Sequence, residues 1–456
     1  MTEEEYKVLL GARILSEAND LKRTVDALAS EIGMDITKLK KILSGLCTLE
    51  DAQEVIRRMS DTYPIDGSDM MIVRDDCTHR IKIMRAGDSE ASSRIFSRKD
   101  KYGNRTPYYE YRDTAMSRVA PFRPEWIREL RPVSNSDPNN PDVAYNNGHG
   151  MHQMTFFIGP VNFYWEVNGK RFCREMDTGD SNYITPFWPH SFATRDTSKL
   201  ALILAVTFGG EVRRAQKELY VLGEDEIQSY ALNSRDTTKG TTQLIRRHMA
   251  NEHLTLDSLM ARLRADSPDL NIEKILSGSK EPTETELEFL AKCLNVEPTD
   301  IRMPRYDPNG EVVVKHRSDG DTYFYPTDLV RAYKISPLAR TSKMPLMKGF
   351  DIEVLHNDPI IPHLLSSSLH TWLFNYGDSP AKMGWVSDDG NWEEVLKPGD
   401  SAYIQPFIPH GFSNGGEGNA KLCDIGVGGA VNLATQRELS CLSSIERVIE
   451  KKCWFD

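Results

Sequence analysis

Tyr145-Asn-Asn-Gly-His-Gly-Met-His-Gln-Met-Thr-Phe-Phe-Ile-Gly-Pro160 opens the stretch whose reading decides the fold, and Gly179-Asp-Ser-Asn-Tyr-Ile-Thr-Pro-Phe-Trp-Pro-His-Ser-Phe192 closes it. Between them the strand-like runs Asn162–Val167 and Lys170–Cys173 flank Asn168-Gly169. Asn-Gly between two strand-like runs is the strongest short hairpin signal, because both turn residues must accept positive φ. A His-rich strand, a hairpin and a strand carrying a further histidine are thereby predicted to fold onto one another. Sequence-distant histidines then meet inside a small β-barrel.

The candidate ligands in this stretch are His149, His152, Gln153 and His190. Strand side chains alternate faces, so His149 and Gln153 share a face and His152 takes the other. Parity favours Gln153 as the partner of His149. Four residues of straight strand separate Cα atoms by roughly 13 Å, so a bend at Gly148 or Gly150 is required. Two imidazoles and an oxygen ligand suit non-haem Fe(II), with positions left for substrate and dioxygen. No Asp or Glu lies on the His149 strand, and Ile184 stands six residues before His190, where a carboxylate would serve. A neutral Gln oxygen leaves more positive charge on such a site.

Working outward, the chain repeats itself. Gly179–Phe192 is echoed by Gly399-Asp-Ser-Ala-Tyr-Ile-Gln-Pro-Phe-Ile-Pro-His-Gly-Phe412, and Lys41–Gly45 returns as Lys274–Gly278. Residues Leu9 to Ile32 carry apolar positions at helical spacing, with Gly33 as a turn and Gly45 as a stop. The segment 26–45 is similar to the helix-turn-helix of Xre-type repressors. The expected fold is α+β, a tandem repeat of a helix-turn-helix-like module followed by a cupin β-barrel. The expected boundaries are 1–63, 64–237, 238–306 and 307–456. In the second copy His370 and His410 are read as the two histidines, with Phe374 in the place of Gln153, so that barrel is expected to be degenerate. The tail Cys441–Asp456 reads as an amphipathic helix.

Composition bounds the function classes. With 456 residues, 39% hydrophobic content and a formal net charge of −11, the chain reads as a multidomain globular protein. Residues 1–63 carry a net charge of −3 despite Lys38, Lys40 and Lys41. An acidic module repels phosphates, so no DNA partner is expected, although a cupin-type DNA-binding regulator is the rival from another class. Seven cysteines without a Cys-x-x-Cys pair indicate neither a disulfide framework nor a zinc knuckle. The acidic N-terminus and the absence of a long apolar run point to a cytoplasmic protein with no membrane partner.

On Asn-Asn-Gly-His, Gly-Asp-Ser and Pro-His-Ser-Phe, together with the helical segment, the chain resembles the phosphonate dioxygenases that act on 2-hydroxyethylphosphonate. The resemblance covers nearly the whole chain. It implies Fe(II) as cofactor, 2-hydroxyethylphosphonate and O2 as partners, and a homo-oligomer. The dioxygenase branch, with a Glu six residues before the second His, gives hydroxymethylphosphonate and formate. Gln153 with Ile184 is similar to the branch that gives methylphosphonate and carbon dioxide or bicarbonate. The resemblance also implies metal ligands His149, Gln153 and His190, catalytic roles for Lys22 and Tyr111, and phosphonate contacts from Asn146 and Arg98. Lys101 or Arg105 are alternatives to Arg98. A lysine that the family carries in its second barrel has no clear counterpart, which leaves completion of the pocket by another subunit open.

Overall fold

The computed structural model describes residues 1–266, 270–307, 310–357 and 363–449. Its N-terminal helix, Glu3–Asp20, starts at a reciprocal cap. The Thr2 hydroxyl accepts from the Glu5 N–H while the Glu5 carboxylate accepts from Thr2. Leu10, Ile14 and Ala18 recur every four residues and form its buried face. Gly33 and Gly45 take left-handed backbone at the turn and stop expected of them, around helices Val25–Glu31 and Ile36–Leu43. Lys38 on the latter is tied to Asp51 at 2.6 Å, which neutralises part of the basic face. A second helical segment comprises Thr237–Asn251, Leu256–Asp266, Ile272–Leu276 and Glu284–Leu294.

The remainder is antiparallel sheet. In the first half a seven-stranded sheet has His152–Ile158 near its centre, between Ser181–Ile184 and Leu202–Phe208. The predicted hairpin forms as Val161–Val167 and Lys170–Met176, with Asn168 at φ 51 and Gly169 at φ 77. It joins His190–Thr194 in a three-stranded sheet. The second half repeats this order around His370–Asn375, Ser401–Ile404 and Lys421–Val427. These sheets are open, and among the described residues neither half closes into the barrel that the sequence leads one to expect of each.

Strand Leu202–Phe208 is buried throughout because both of its faces are covered. Leu204, Val206 and Phe208 pack with Trp372, Tyr403 and Ile425 in a core shared by the two large sheets. Ile203 and Ala205 face the other way, into the first half's own core with Phe163 and Phe192. A matching inner core in the second half contains Leu373, Met383 and Phe412.

The two halves also exchange edge strands. Ile81–Met84, which follows the first helical segment, pairs with Ser401–Ile404 of the second half. Val312–Lys315, which follows the second helical segment, pairs with Ser181–Ile184 of the first. Boundaries drawn at residues 64 and 307 therefore cut across both sheets.

Three short exposed helices, Glu211–Arg214, Gln216–Leu222 and Glu224–Tyr230, link the halves, where sequence reading placed none. Near the C-terminus a helix lies at Leu433–Ser440, and among the described residues of the tail a short 3-10 turn, Glu446–Val448, follows; the rest of the expected helix, residues 450–456, lies outside the described residues. The terminal Trp-Phe pair lies outside the described residues. Among the described residues no helix is long and apolar enough to cross a membrane.

Candidate metal and substrate site

His149 lies just before strand His152–Ile158 and not on it, which removes the distance problem. The bend sits at Gly148, with φ 73. A Cβ there would fall 2.4 Å from the Phe187 carbonyl carbon, so only glycine fits this approach. The Phe187 N–H donates to the His149 carbonyl at 2.9 Å and pins the two loops together. His149 is thereby turned back over Gln153, its Nε2 standing 3.1 Å from Gln153 Oε1.

The hydrogen bonds orient all three candidate ligands. His149 Nδ1 lies 2.9 Å from the Met151 carbonyl, and His190 Nδ1 lies 2.9 Å from that of Trp188. A carbonyl only accepts, so each ring in its neutral form carries the proton on Nδ1 and keeps a lone pair on Nε2. Gln153 donates through Nε2 to Thr155 Oγ1 at 2.9 Å, which aims Oε1 at His149. In that form the His149 Nε2 lone pair faces the Gln153 oxygen, an arrangement that suits a bound cation. The His149 and His190 rings meet edge to face with centroids 5.2 Å apart. Burial holds the His190 pKa down to about 4, with His149 and Arg98 adding to the effect, so this imidazole is neutral at neutral pH. The donor set fits Fe(II).

Gln153 pairs directly with Ile184 on the neighbouring strand. Cβ atoms of directly opposed strand residues lie roughly 4.5–5.5 Å apart. A carboxylate at position 184 and an amide at position 153 thus reach one space. Ile184 is 1% exposed and fills its share with hydrocarbon, leaving the amide as the oxygen donor.

A cavity of about 220 Å³ opens over these residues and is also lined by Arg98, Tyr111 and Asn146. Asn146 Nδ2 donates to His190 Nε2 at 3.0 Å, and its Oδ1 accepts from the His190 and Gly148 N–H groups. Burial, with Glu125 next, raises the Tyr111 phenol and keeps it protonated. Sequence reading missed Arg123, Glu125 and Thr207 on the cavity wall. Arg123, Glu125 and Ile127 alternate on one face of strand Phe122–Glu129, a period-two pattern that could have found them. Burial raises the Glu125 pKa against the pull of Arg94, 3.7 Å away.

Not every candidate is gathered here. His152 points to the opposite face, where Nδ1 meets the Tyr183 hydroxyl at 2.5 Å. Lys101 is drawn to Asp142 at 3.4 Å. Lys22, on the exposed turn after the first helix, donates to the Asp20 carbonyl at 2.6 Å and is not among the residues that line the cavity.

The second half needs a correction. His370 is the counterpart of His152, not of His149. It pairs with Val427 as His152 pairs with Phe208, and its Nδ1 meets the Tyr403 hydroxyl at 2.6 Å as His152 meets Tyr183. Thr371, opposite Ile404, therefore answers to Gln153, while Ser367, whose carbonyl accepts from Phe407, answers to His149. Of the three candidate ligands only His190 has a histidine counterpart, His410. Spacing alone misled because the loop before this strand differs in sequence.

Within this half Asp424 is 9% exposed and, among the described residues, has no hydrogen-bond or ion-pair partner. Burial pushes its pKa up to about 7. An acid raised on folding binds more protons folded than unfolded, so its stabilising balance is present below about pH 4 and is lost as pH rises to 7. The expected result is that Asp424→Asn gains on wild type by a few kcal/mol, on the order expected from linkage, between pH 4 and 8. Urea midpoints at both pH values measure this, and a pH-independent difference would refute the charged, unpaired state.

No family model matches the chain. Methylphosphonate synthase of Nitrosopumilus maritimus (strain SCM1) is 39% identical over 459 residues, covering 99% of this chain and 97% of that protein. This chain belongs to the methylphosphonate synthase family. Among solved structures, Streptomyces albus 2-hydroxyethylphosphonate dioxygenase, with 2-hydroxyethylphosphonate and Fe(II) bound, superposes with a TM-score of 0.90 at 31% identity over 100% of both chains. PhpD with cadmium and hydroxyethylphosphonate shares the fold at a TM-score of 0.72 and 17% identity, covering 96% of this chain and 98% of that one.

Proposed function

We propose that the first-half site binds Fe(II) and 2-hydroxyethylphosphonate and uses O2 to cleave the carbon–carbon bond, releasing methylphosphonate and carbon dioxide or bicarbonate. The observation that carries this reading is Gln153 Oε1 aimed at His149 Nε2 across from Ile184. Carbon dioxide and water as co-products balance the equation: 2-hydroxyethylphosphonate and O2 become methylphosphonate, CO2 and H2O. Iron held by His149, Gln153 and His190 would supply the activation of dioxygen and a chelating point for the substrate's hydroxyl and one phosphonate oxygen.

The chain's own groups do the positioning. Arg98 offers a planar, always-charged fork to the phosphonate oxygens. Asn146 turns its amide donor from His190 to the same group, and the protonated Tyr111 hydroxyl is a further donor to bound oxygen atoms. The apolar side chain of Ile184 supplies no acceptor, so any hydrogen bond that a carboxylate there would make to the ligands is missing. This favours hydrogen transfer to the phosphonate fragment over its hydroxylation. A cavity of about 220 Å³, the share of roughly seven liquid waters, suits a substrate of this size.

We further infer that the chain is a tandem of a helix-turn-helix-like module and a cupin-type unit, and that it works as a cytoplasmic homo-oligomer. The linking helices expose Val212, Tyr220 and Val221, an apolar surface that a second copy would cover. Such a copy could bring a Lys22 to the site, which its own chain does not.

Phosphorus NMR tests the product. Enzyme loaded anaerobically with Fe(II) and 2-hydroxyethylphosphonate, then exposed to air, is expected to give methylphosphonate and no formate. Hydroxymethylphosphonate and formate as the dominant products would overturn the assignment while leaving the metal site in place.

A further inference from the structure

The second half keeps a cavity at the position of the iron pocket, and at about 320 Å³ it is the larger of the two. Protein interiors are packed as densely as organic crystals, and an abandoned pocket tends to fill with side chains. This one is instead lined by polar groups, some kept from the first half and one, Asp424, new. The register puts Lys348 opposite Gly426 as Arg123 is opposite Thr207, so a cation is retained on this wall. Asp424 stands where the first half has Ala205, and Phe350 stands where it has Glu125. Lys348, Phe350, Asp424 and His410 all line the cavity.

Two of these groups have unmet demands. His410 donates through Nδ1 to the Ile408 carbonyl at 2.8 Å, which leaves Nε2 an acceptor, and that atom has no partner among the described residues. Asp424 likewise has none. A buried polar group without a hydrogen bond is costly, and native structures rarely keep one unless something else satisfies it. Both groups call for a donor, whereas Lys348 calls for an anion. Phe350 and Tyr325 offer apolar walls for a short carbon chain. Ser367 and Thr371, in the places of His149 and Gln153, offer neutral hydroxyls, which are poor ligands for a transition metal.

We propose that this cavity is a second ligand site, for a small organic anion that also carries a hydroxyl or amino donor. The anion lies at Lys348 and the donor at Asp424 and His410. The site is separate from the iron pocket and does not depend on the chemistry proposed there.

Calorimetric titration of the full-length, metal-free protein with glycolate, L-serine and 2-hydroxyethylphosphonate tests it. The expected result is saturable binding of at least one probe, weakened on the order of 10- to 100-fold by Lys348→Met or Asp424→Asn and retained in Arg98→Met. Melting curves of each variant establish that it is folded, and the near-isosteric Asp424→Asn keeps the test valid if Lys348→Met is not. Absence of saturable binding of all three probes up to about 10 mM, or binding that neither second-half variant weakens, would overturn the proposal. No turnover is measured, so either result leaves the reading of the iron pocket untouched.

Discussion

His149→Ala and His190→Ala are each expected to lose tightly bound iron and, with it, turnover, by well over the roughly 10- to 100-fold that loss of a mere supporting partner causes. Each removes one of two imidazoles whose Nδ1 atoms are committed to backbone carbonyls, so no rotation of the remaining ring replaces the lost donor. His370→Asn should keep one iron per chain, because His370 occupies the place of His152 and meets Tyr403. Metal analysis after dialysis reads the count directly. Two tightly bound irons per wild-type chain, or iron loss in His370→Asn alone, would refute the placement of the site.

The second large effect is expected at Arg98. Arg98→Met should lower kcat/KM for 2-hydroxyethylphosphonate by roughly 10²- to 10³-fold, the scale seen when one preorganised donor to a developing or bound oxyanion is removed. If Arg98 holds substrate and transition state alike, the loss appears in KM; if it acts in the transition state alone, the loss appears in kcat. Lys101→Met is the control, since Lys101 is committed to Asp142 and lies off the cavity lining. Equal losses in both variants would mean a diffuse basic loop and no specific contact.

Much of this was legible in the sequence because the deciding signals are local. Asn168-Gly169 can only be a tight turn, and the hairpin forms around it. The parity of a strand separates Gln153 from His152 before any contact is known, and the two do face opposite ways. Gly33 and Gly45 mark a helix turn and a helix stop by the backbone they permit. What depends on register across the chain was not legible. Counting residues from a histidine matched His370 to His149, whereas strand pairing matches it to His152. Arg123 and Glu125 share a strand face with Ile127, but alternation alone does not say that this face looks into the cavity.

The exchange of edge strands has a consequence for how the protein comes into being. Ser181–Ile184, the strand that flanks Gln153, is covered on its far side by Val312–Lys315. A ribosome must therefore make the second helical segment and the start of the second half before the sheet that carries Gln153 is finished. A fragment ending at residue 237 would expose the backbone of Ser181–Ile184 as an unpaired edge, the usual starting point for aggregation. The debt runs both ways, since Ile81–Met84 closes the corresponding edge of the second half. A half that matches only one of the three candidate ligands is then not free to be discarded, because its strand Val312–Lys315 closes the edge of the sheet that carries Gln153.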